Sequence, residues 1–253
     1  MLQTRIIPVL LLKNKGLVKT KQFRNETYIG DPINAVKIFN EKEVDELVFL
    51  DITASKEKKA PNFELLEQIA TECFMPFAYG GGIMDIKCSK QLLSMGIEKL
   101  IVNTLLFQSL KTVRDMIESF GSQSVIASID IKSNIWGKPQ VFSHTGSVVT
   151  IKDPVEWAKK LVDIGIGELM VNSVDNDGML NGYDIEMIKK ITDAVPIPVI
   201  ACGGARYIED LKQVILNGGA SAAAAGSMFV FHGKNKAVLI TYPTQQELTC
   251  LLG

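Results

Sequence analysis

Two glycine-rich runs in the sequence are of a kind that can bind phosphate groups. Gly80-Gly81-Gly82 and Gly203-Gly204 each directly follow a short apolar stretch. A backbone without Cβ atoms can bring successive N–H groups close to a phosphate. A tight turn that needs glycine and binds nothing is the alternative. Asn103-Thr104 and Gly226-Ser227 follow two further apolar stretches, and their amides and side chains could complete two phosphate sites.

Carboxylates are the candidates for proton transfer. His144 and His232 are the only histidines, so neither a catalytic triad nor a histidine-rich metal site is expected. Asp130 ends an apolar run, where a general acid or base could face a substrate, and capping a loop is the alternative. Asp177-Gly178 ends an Asx-rich turn and could orient a substrate, although such turns are common. No cofactor and no metal ion is predicted.

Eight short apolar runs alternate with longer amphipathic stretches. This is the pattern of parallel strands that return through crossover helices. A length of 253 residues suits one such domain. The sequence therefore predicts an α/β fold, a single (β/α)8 TIM barrel over residues 1–253. The predicted strands are Ile6–Leu12, Glu46–Leu50, Pro76–Tyr79, Lys99–Val102, Val125–Ile131, Glu168–Val171, Pro198–Ala201 and Ala222–Ala225.

The chain nearly repeats itself at half length. Residues 75–82 match residues 197–204 at an offset of 122 positions, which favours half-barrels of about 1–122 and 123–253. In such barrels the active site lies at the carboxyl ends of the strands, and the loops after strands 7 and 8 often bind phosphate. The glycine runs are therefore predicted to form two phosphate sites on opposite sides of the barrel mouth.

Two long polar segments follow predicted strands at the mouth. Residues 13–28 and 133–150 are long for a compact domain and predict lids or binding loops. The second contains two hairpin-like runs, 140–142 and 147–151. The opposite end of the barrel, here called the lower rim, carries charges of both signs where strands 1, 2, 4 and 6 begin. Spacing alone favours stabilising or solvated ends over a functional ring of these four residues, Arg5, Glu46, Lys99 and Glu168.

Composition argues against several other classes of function. A formal net charge of −1 gives no general attraction to nucleic acid or to an anionic membrane surface. No apolar stretch approaches the roughly 20 residues that span a bilayer, and the N-terminus lacks a signal-peptide layout. The four cysteines are too widely spaced for a redox pair or a zinc site. We therefore predict a cytoplasmic protein that binds neither nucleic acid nor membranes.

Six sequence blocks together carry a resemblance to a known family: Arg5–Pro8, Gly30–Pro32, Asp45–Ser55, Gly80–Ile83, Phe120–Gln123 and Asp175–Gly178. They resemble HisF, the cyclase subunit of imidazole glycerol phosphate synthase, and the likeness extends to about Phe231. The resemblance implies a barrel that forms a heterodimer with a HisH-like glutaminase at its N-terminal face. It also implies that ammonia passes through the barrel to a bisphosphorylated small molecule at the mouth.

The resemblance further implies roles for single residues. Asp130 matches one of the family's two catalytic aspartates, and Lys19 matches a lysine on the first loop that helps to close over substrate. The second catalytic aspartate falls on Leu11, which cannot move a proton, and losing one member of an acid/base pair commonly costs about 10²–10⁴ in rate. The lower-rim residues Arg5, Glu46, Lys99 and Glu168 match the family's gate at the ammonia entrance.

Segments 72–76 and 229–243 differ from the ordinary cyclase and are similar to a HisF paralogue found with surface-polysaccharide genes such as those for lipopolysaccharide O-antigen. That branch implies a sugar amidotransferase partner that turns an acetamido group into an acetamidino group. Three functions stay open. One is ammonia delivery for sugar amidination. Another is the lyase/cyclase reaction of histidine biosynthesis, from ribulosyl aminoimidazole carboxamide bisphosphate and ammonia to imidazole glycerol phosphate and AICAR. The last is a phosphate-binding scaffold that only activates or assembles the glutaminase.

Overall fold

The computed structural model describes residues 4–143, 153–233 and 235–252. In chain order its elements are β1 (Arg5–Lys13), β2 (Gly16–Lys21), β3 (Arg24–Gly30), α1 (Pro32–Glu41), β4 (Leu47–Asp51), α2 (Phe63–Glu72), β5 (Phe77–Gly80), α3 (Ile86–Ser94), β6 (Lys99–Val102), α4 (Thr104–Gln108), α5 (Leu110–Phe120), a 3₁₀ turn (Ser122–Ser124), β7 (Val125–Ser133), β8 (Pro139–Phe142), α6 (Pro154–Asp163), β9 (Glu168–Ser173), α7 (Ile185–Thr192), β10 (Val199–Cys202), α8 (Ile208–Leu216), β11 (Ala222–Ala225), α9 (Ser227–Val230), β12 (Phe231–His232), β13 (Ala237–Val238) and α10 (Gln245–Leu252).

Parallel pairing closes eight of these strands into a barrel. The order around it is β1-β4-β5-β6-β7-β9-β10-β11, and β11 pairs back onto β1 from Arg5–Ala222 to Pro8–Ala225. The eight predicted strands coincide with these eight, and their ends differ by at most two residues. The predicted single (β/α)8 TIM barrel is therefore confirmed. The division into half-barrels near residue 122 stays a prediction.

Local sequence signals mark where two of the helices begin. Asp31 caps α1, because its Oδ1 accepts from the Asn34 N–H at 2.9 Å, and Pro32 follows it in the first turn. Helix α6 begins in the same way, where Asp153 accepts from the Val155 N–H at 2.8 Å. A cap of this kind typically stabilises a helix by about 1 kcal/mol. These caps fix where each helix leaves the loop that precedes it.

The barrel strands separate two apolar cores, because successive side chains of a strand point to opposite faces. The larger core lies between the barrel and the helices and includes Phe39, Phe49 and Tyr79. Strand β11 consists of alanine alone, so its inward residues place only methyl groups in the interior. The interior core comprises Ile7, Val9, Val48, Ala78, Ile101, Ile126, Met170, Ile200, Cys202, Ala222 and Ala224.

The first long segment, residues 13–28, is an ordered extension of the sheet where a loop was expected. Strands β2 and β3 form an antiparallel ribbon that continues from β1. Leu17 and Val18 are buried, whereas the first five residues of β3 are exposed. The loop prediction was wrong because the outer strand has few apolar residues, so the strand signal in the sequence is weak.

The second long segment is partly a hairpin. Strand β7 continues to Ser133 and pairs antiparallel with β8, which confirms the hairpin-like run 140–142. The run 147–151 lies outside the described residues. Within the part of the chain that the structure describes, no helix is long and apolar enough to cross a bilayer.

Candidate active site

The carboxyl ends of the barrel strands surround one large cleft. It encloses about 1380 Å³, counting the part that is open to solvent. Leu11, the residue on which the resemblance places the family's second catalytic aspartate, also lines the cleft. All twelve residues predicted for the mouth lie in its wall: Lys19, Gly81, Gly82, Asn103, Thr104, Asp130, Asp177, Gly178, Gly203, Gly204, Gly226 and Ser227. Their roles stay predictions.

Close packing of the backbone requires the glycine pairs of the mouth. Gly203 and Gly204 have φ values of +91° and +111°, and a Cβ at Gly204 would lie 2.1 Å from the carbonyl oxygen of Gly182. Gly81 and Gly82 are also left-handed, and a Cβ at Gly81 would lie 2.5 Å from the Asp51 carbonyl oxygen. The turn alternative therefore accounts for these glycines without a ligand. Phosphate binding needs further support from nearby charge.

Lys19 supplies that charge on one side of the mouth. Its side chain is buried, and its ammonium group donates to the backbone carbonyl of Val9. A Cβ at Gly226 would lie 2.1 Å from Lys19 Nζ, so the missing side chain leaves room for the lysine. Burial lowers the pKa of Lys19 to about 8, although the carboxylate of Asp177 opposes the shift. The arrangement places a buried cation beside the Gly226-Ser227 turn, as an anion site requires.

The other predicted phosphate site has fewer free donors. The Gly82 N–H already donates to the Ser55 hydroxyl at 3.1 Å. The Asn103 amide donates to the Ser128 carbonyl at 3.0 Å and to Asp130 Oδ2 at 3.1 Å. The amide nitrogen of Asn103 is therefore hydrogen-bonded to the carboxylate. To bind a phosphate, as predicted, Asn103 would have to break these hydrogen bonds.

Asp130 is held by two amides. Its Oδ2 accepts from Asn103, and its Oδ1 accepts from Asn172 Nδ2 at 3.3 Å. The carboxyl group is buried, and burial raises its pKa to about 7. The two amide hydrogen bonds oppose this rise, while the nearby charge of Asp177 adds to it. A carboxyl with a pKa near neutrality suits general acid or base catalysis.

The remaining carboxylates of the cleft have structural partners. Asp51 caps a turn by accepting from Thr53 and Ala54, each at 2.9 Å. Asp177 accepts from the Thr20 hydroxyl at 2.9 Å and so anchors the β2–β3 ribbon that carries Lys19. Glu26 pairs with Lys13. Among the described residues that line the cleft, Asp130 is thus the one carboxylate that neither pairs with a lysine nor holds a turn or the ribbon.

The four charged residues of the lower rim form a closed ring of ion pairs. Arg5 contacts both glutamates, and its Nη1 lies 2.6 Å from Glu46 Oε2. Lys99 Nζ lies 3.0 Å from Glu168 and 3.5 Å from Glu46. Both glutamates are buried, so these are not solvated strand ends. Burial lowers the pKa of Arg5, but the two carboxylates outweigh it and the net pKa is raised.

Comparison with known sequences identifies the family of this chain. A profile described as histidine biosynthesis protein matches residues 5–236. The chain belongs to the histidine biosynthesis protein family. A relative in Pseudomonas aeruginosa, provisionally named imidazole glycerol phosphate synthase subunit hisF2, is 49% identical over 98% of this chain and 99% of its own.

Other members of the histidine biosynthesis protein family are also similar. A Vibrio vulnificus protein, provisionally named imidazole glycerol phosphate synthase subunit hisF3, is 42% identical over 98% of this chain and 95% of its own. The imidazole glycerol phosphate synthase subunit HisF of Leptospira biflexa is 39% identical over 98% of this chain and 96% of its own. The resemblance to HisF and its paralogues is therefore confirmed.

Within this histidine biosynthesis family barrel, sequence reasoning missed Asn172 and the anchoring role of Asp177. Asn172 follows a buried run of β9, and an amide there is compatible with an ordinary strand end. The anchoring contact joins Thr20 to Asp177 across 157 residues of chain. Periodicity in the sequence does not report such pairs; a polar residue at an inward position of β9 was the one available signal for Asn172.

Asp130→Asn is expected to change the pH dependence of stability. The unfolded carboxyl loses its proton near its ordinary pKa of 3.8, whereas the folded one loses it near a pKa of about 7. The favourable contribution of the protonated form is therefore complete at low pH and is lost as pH rises to 7. The Tm of the wild type relative to Asp130→Asn should fall by several degrees between about pH 5 and about pH 8. Thermal unfolding measures this, with the exposed Asp193→Asn as control, and a constant difference would contradict the assignment.

Proposed function

We propose that this chain is the HisF-like synthase subunit of a glutamine amidotransferase complex and receives ammonia from a HisH-like glutaminase. The single observation that carries the proposal is the closed ion-pair ring at the lower rim. It lies at one end of an apolar barrel interior whose other end meets the cleft. The name imidazole glycerol phosphate synthase subunit HisF, carried by relatives, agrees with such a complex.

The interior suits neutral ammonia. Burying a charged group in apolar surroundings is costly, so the interior core disfavours the ammonium ion and admits the uncharged molecule. Ala78, Ala222 and Ala224 place only methyl groups in the interior. The ring at the entrance combines two cations with two anions, and opening it would require its paired charges to move apart. These features support a gated route through the barrel.

For the acceptor, we propose an acetamido sugar of surface polysaccharide biosynthesis, amidinated by a sugar amidotransferase that works with this chain and its glutaminase. Leu11 supports this choice, because an apolar residue lines the cleft where cyclisation by paired carboxylates needs an acid. The similarity of segments 72–76 and 229–243 to the polysaccharide-associated paralogue supports it as well. In this reading the barrel passes ammonia onward, and its own cyclase activity is weak.

Imidazole glycerol phosphate synthesis is the second candidate, and Asp130 is the observation in its favour. A buried carboxyl with a pKa of about 7, held by two amides, is costly for a protein that only conducts ammonia. Lys19 beside Gly226 also supplies a site for one end of a bisphosphate. The two candidates share the ammonia route and differ in the acceptor.

Gate variants test the ammonia route that both candidates share. Lys99→Ala or Glu168→Ala is expected to change glutamine-dependent turnover by about tenfold, the order of one charged hydrogen bond. Turnover with free ammonium should stay nearly intact, because free ammonia can enter at the mouth. Lys190→Ala is the matched control, since it removes an exposed ion pair with Glu186 on the outer surface. If both activities fell together, the ring would be structural and the proposal would lose its main support.

A further inference from the structure

Two hydrogen-bond acceptors without a partner lie at the two ends of the barrel interior. Among the described residues, the buried side-chain atoms without a hydrogen-bond partner include Glu46 Oε1 and Asn172 Oδ1. Glu46 belongs to the lower-rim ring, and Asn172 lies near the mouth end of β9. Both atoms are oxygens that accept hydrogen bonds and cannot donate them. A buried acceptor without a partner carries a desolvation cost that a donor ligand would relieve.

The surroundings of Asn172 fix where its oxygen points. Its Nδ2 donates to Asp130 Oδ1 at 3.3 Å, which holds the amide in one orientation. A Cβ at Gly203 would lie 2.8 Å from Asn172 Oδ1, so the oxygen occupies space that this glycine leaves open. Asn172 is 8% exposed and lines the cleft. The Asn172 amide therefore lies in the wall of the cleft, with its nitrogen toward Asp130 and its oxygen toward the Gly203-Gly204 turn.

Asn172 also marks the boundary between apolar and polar surroundings. The preceding inward residue of β9 is Met170, which belongs to the interior core. Its neighbours in register on adjoining strands are Ser128 and Ile200. One step further toward the mouth, Asn172 is level with Asp130 and Cys202. Along β9, a molecule moving from the lower rim toward the mouth therefore meets Asn172 as its first polar side chain, one layer above the Ser128 hydroxyl of neighbouring β7.

We propose that Asn172 receives ammonia as it leaves the apolar interior. Its Oδ1 accepts a hydrogen bond from an N–H of ammonia, while its Nδ2 holds Asp130 beside the same molecule. With an N–H turned toward Asn172, the lone pair of ammonia faces away from that oxygen and is free to react. This inference rests on the proposed ammonia route and assigns to Asn172 a positioning role in that route.

The test compares three variants in the complex with the glutaminase, using the acceptor that supports turnover of the wild type. If that acceptor is the acetamido sugar, the sugar amidotransferase is included in the complex. Asn172→Leu keeps the size and removes both polar atoms, whereas Asn172→Asp keeps an acceptor oxygen. Asn103→Leu is the matched control, because it removes the other amide bound to Asp130 and leaves Asn172 intact. Asn172→Leu should raise the KM for ammonium chloride about tenfold at fixed pH, as expected for one hydrogen bond. Asn172→Asp should keep the KM for ammonium within about threefold of the wild-type value. Asn103→Leu should lower kcat without raising the KM for ammonium.

The possible results separate this inference from the proposed function. If the wild type incorporates no nitrogen into either acceptor, from glutamine or from ammonium, the proposed function fails and the inference fails with it. If the wild type is active and Asn172→Leu leaves the KM for ammonium unchanged, the inference alone fails. A rise in the KM for the phosphorylated or sugar acceptor instead of the KM for ammonium would also overturn it, because Asn172 would then bind that acceptor.

Discussion

Replacing Leu11 by aspartate is expected to raise the rate of imidazole glycerol phosphate formation by about 10²–10⁴, the range that one acid/base group contributes. Leu11 lies on β1 and lines the same cleft as Asp130, which lies on β7. An aspartate there would give the cleft the second carboxyl that cyclisation needs. The measurement is steady-state turnover of the ribulosyl aminoimidazole carboxamide bisphosphate with excess ammonium.

The matched control for this gain is Leu11→Asn. Asparagine has nearly the shape of aspartate and also removes the apolar side chain of Leu11 that packs against the interior core, yet it cannot transfer a proton at neutral pH. It should therefore show no gain, and Asp130→Asn placed on top of Leu11→Asp should remove the gain. Fast turnover of the wild type, unchanged in Leu11→Asp, would show that the site cyclises without an acid on β1 and would favour the histidine pathway.

Lys19→Met is expected to weaken the binding of a sugar bisphosphate by about 10- to 100-fold, the range for one hydrogen bond to a charged group. Lys19 is the buried cation beside the Gly226-Ser227 turn. Methionine has a similar length and no charge, so the cavity stays filled. Because a ligand at concentration c that binds only the folded state stabilises it by RT ln(1 + c/Kd), the measurement is the shift in Tm on adding the bisphosphate at a fixed concentration.

The unliganded protein provides the control for Lys19→Met. Burial lowers the pKa of Lys19 from 10.5 to about 8. Below pH 8 the folded state therefore holds a charged, buried amine, which lowers the free energy of unfolding. At neutral pH the unliganded variant should therefore unfold at the same Tm as the wild type or higher. Gly204→Glu should also abolish the shift but lower Tm, because a Cβ there meets the Gly182 carbonyl at 2.1 Å. If the bisphosphate raised the Tm of Lys19→Met as much as that of the wild type, no phosphate would be bound by Lys19 on this side of the mouth.

The barrel could be predicted from the sequence because its signals are local. The eight apolar runs and the Asp-Pro helix starts at 31–32 and 153–154 each depend on neighbouring residues. The β2–β3 ribbon could not be predicted in this way. Its outer strand is mostly exposed, and the contact of Thr20 with Asp177 that anchors it joins residues far apart in the chain.

The candidate site shows the same division between residue type and contact. Position along the strands predicted Asp130 and the glycine turns at one cleft, and the resemblance added Lys19. The partners of these groups depend on side-chain geometry that no spacing contains. Asn103 binds Asp130 where a phosphate contact was expected. The four lower-rim charges are paired and the two glutamates are buried, whereas spacing alone favoured stabilising or solvated ends. Asn172 could be recognised as a residue of the site only from the hydrogen bond that its amide donates to Asp130.

Transfer of an isotope label tests whether nitrogen from glutamine reaches the acceptor through this barrel. The complex with the glutaminase is given glutamine labelled with ¹⁵N in the side-chain amide, in a large excess of unlabelled ammonium, together with the acceptor. We expect the product to carry far more ¹⁵N than the bulk ammonium does, and we expect Lys99→Ala to reduce this excess. A product whose ¹⁵N content equals that of the bulk ammonium would show that ammonia reaches the cleft from solvent and does not pass through the barrel.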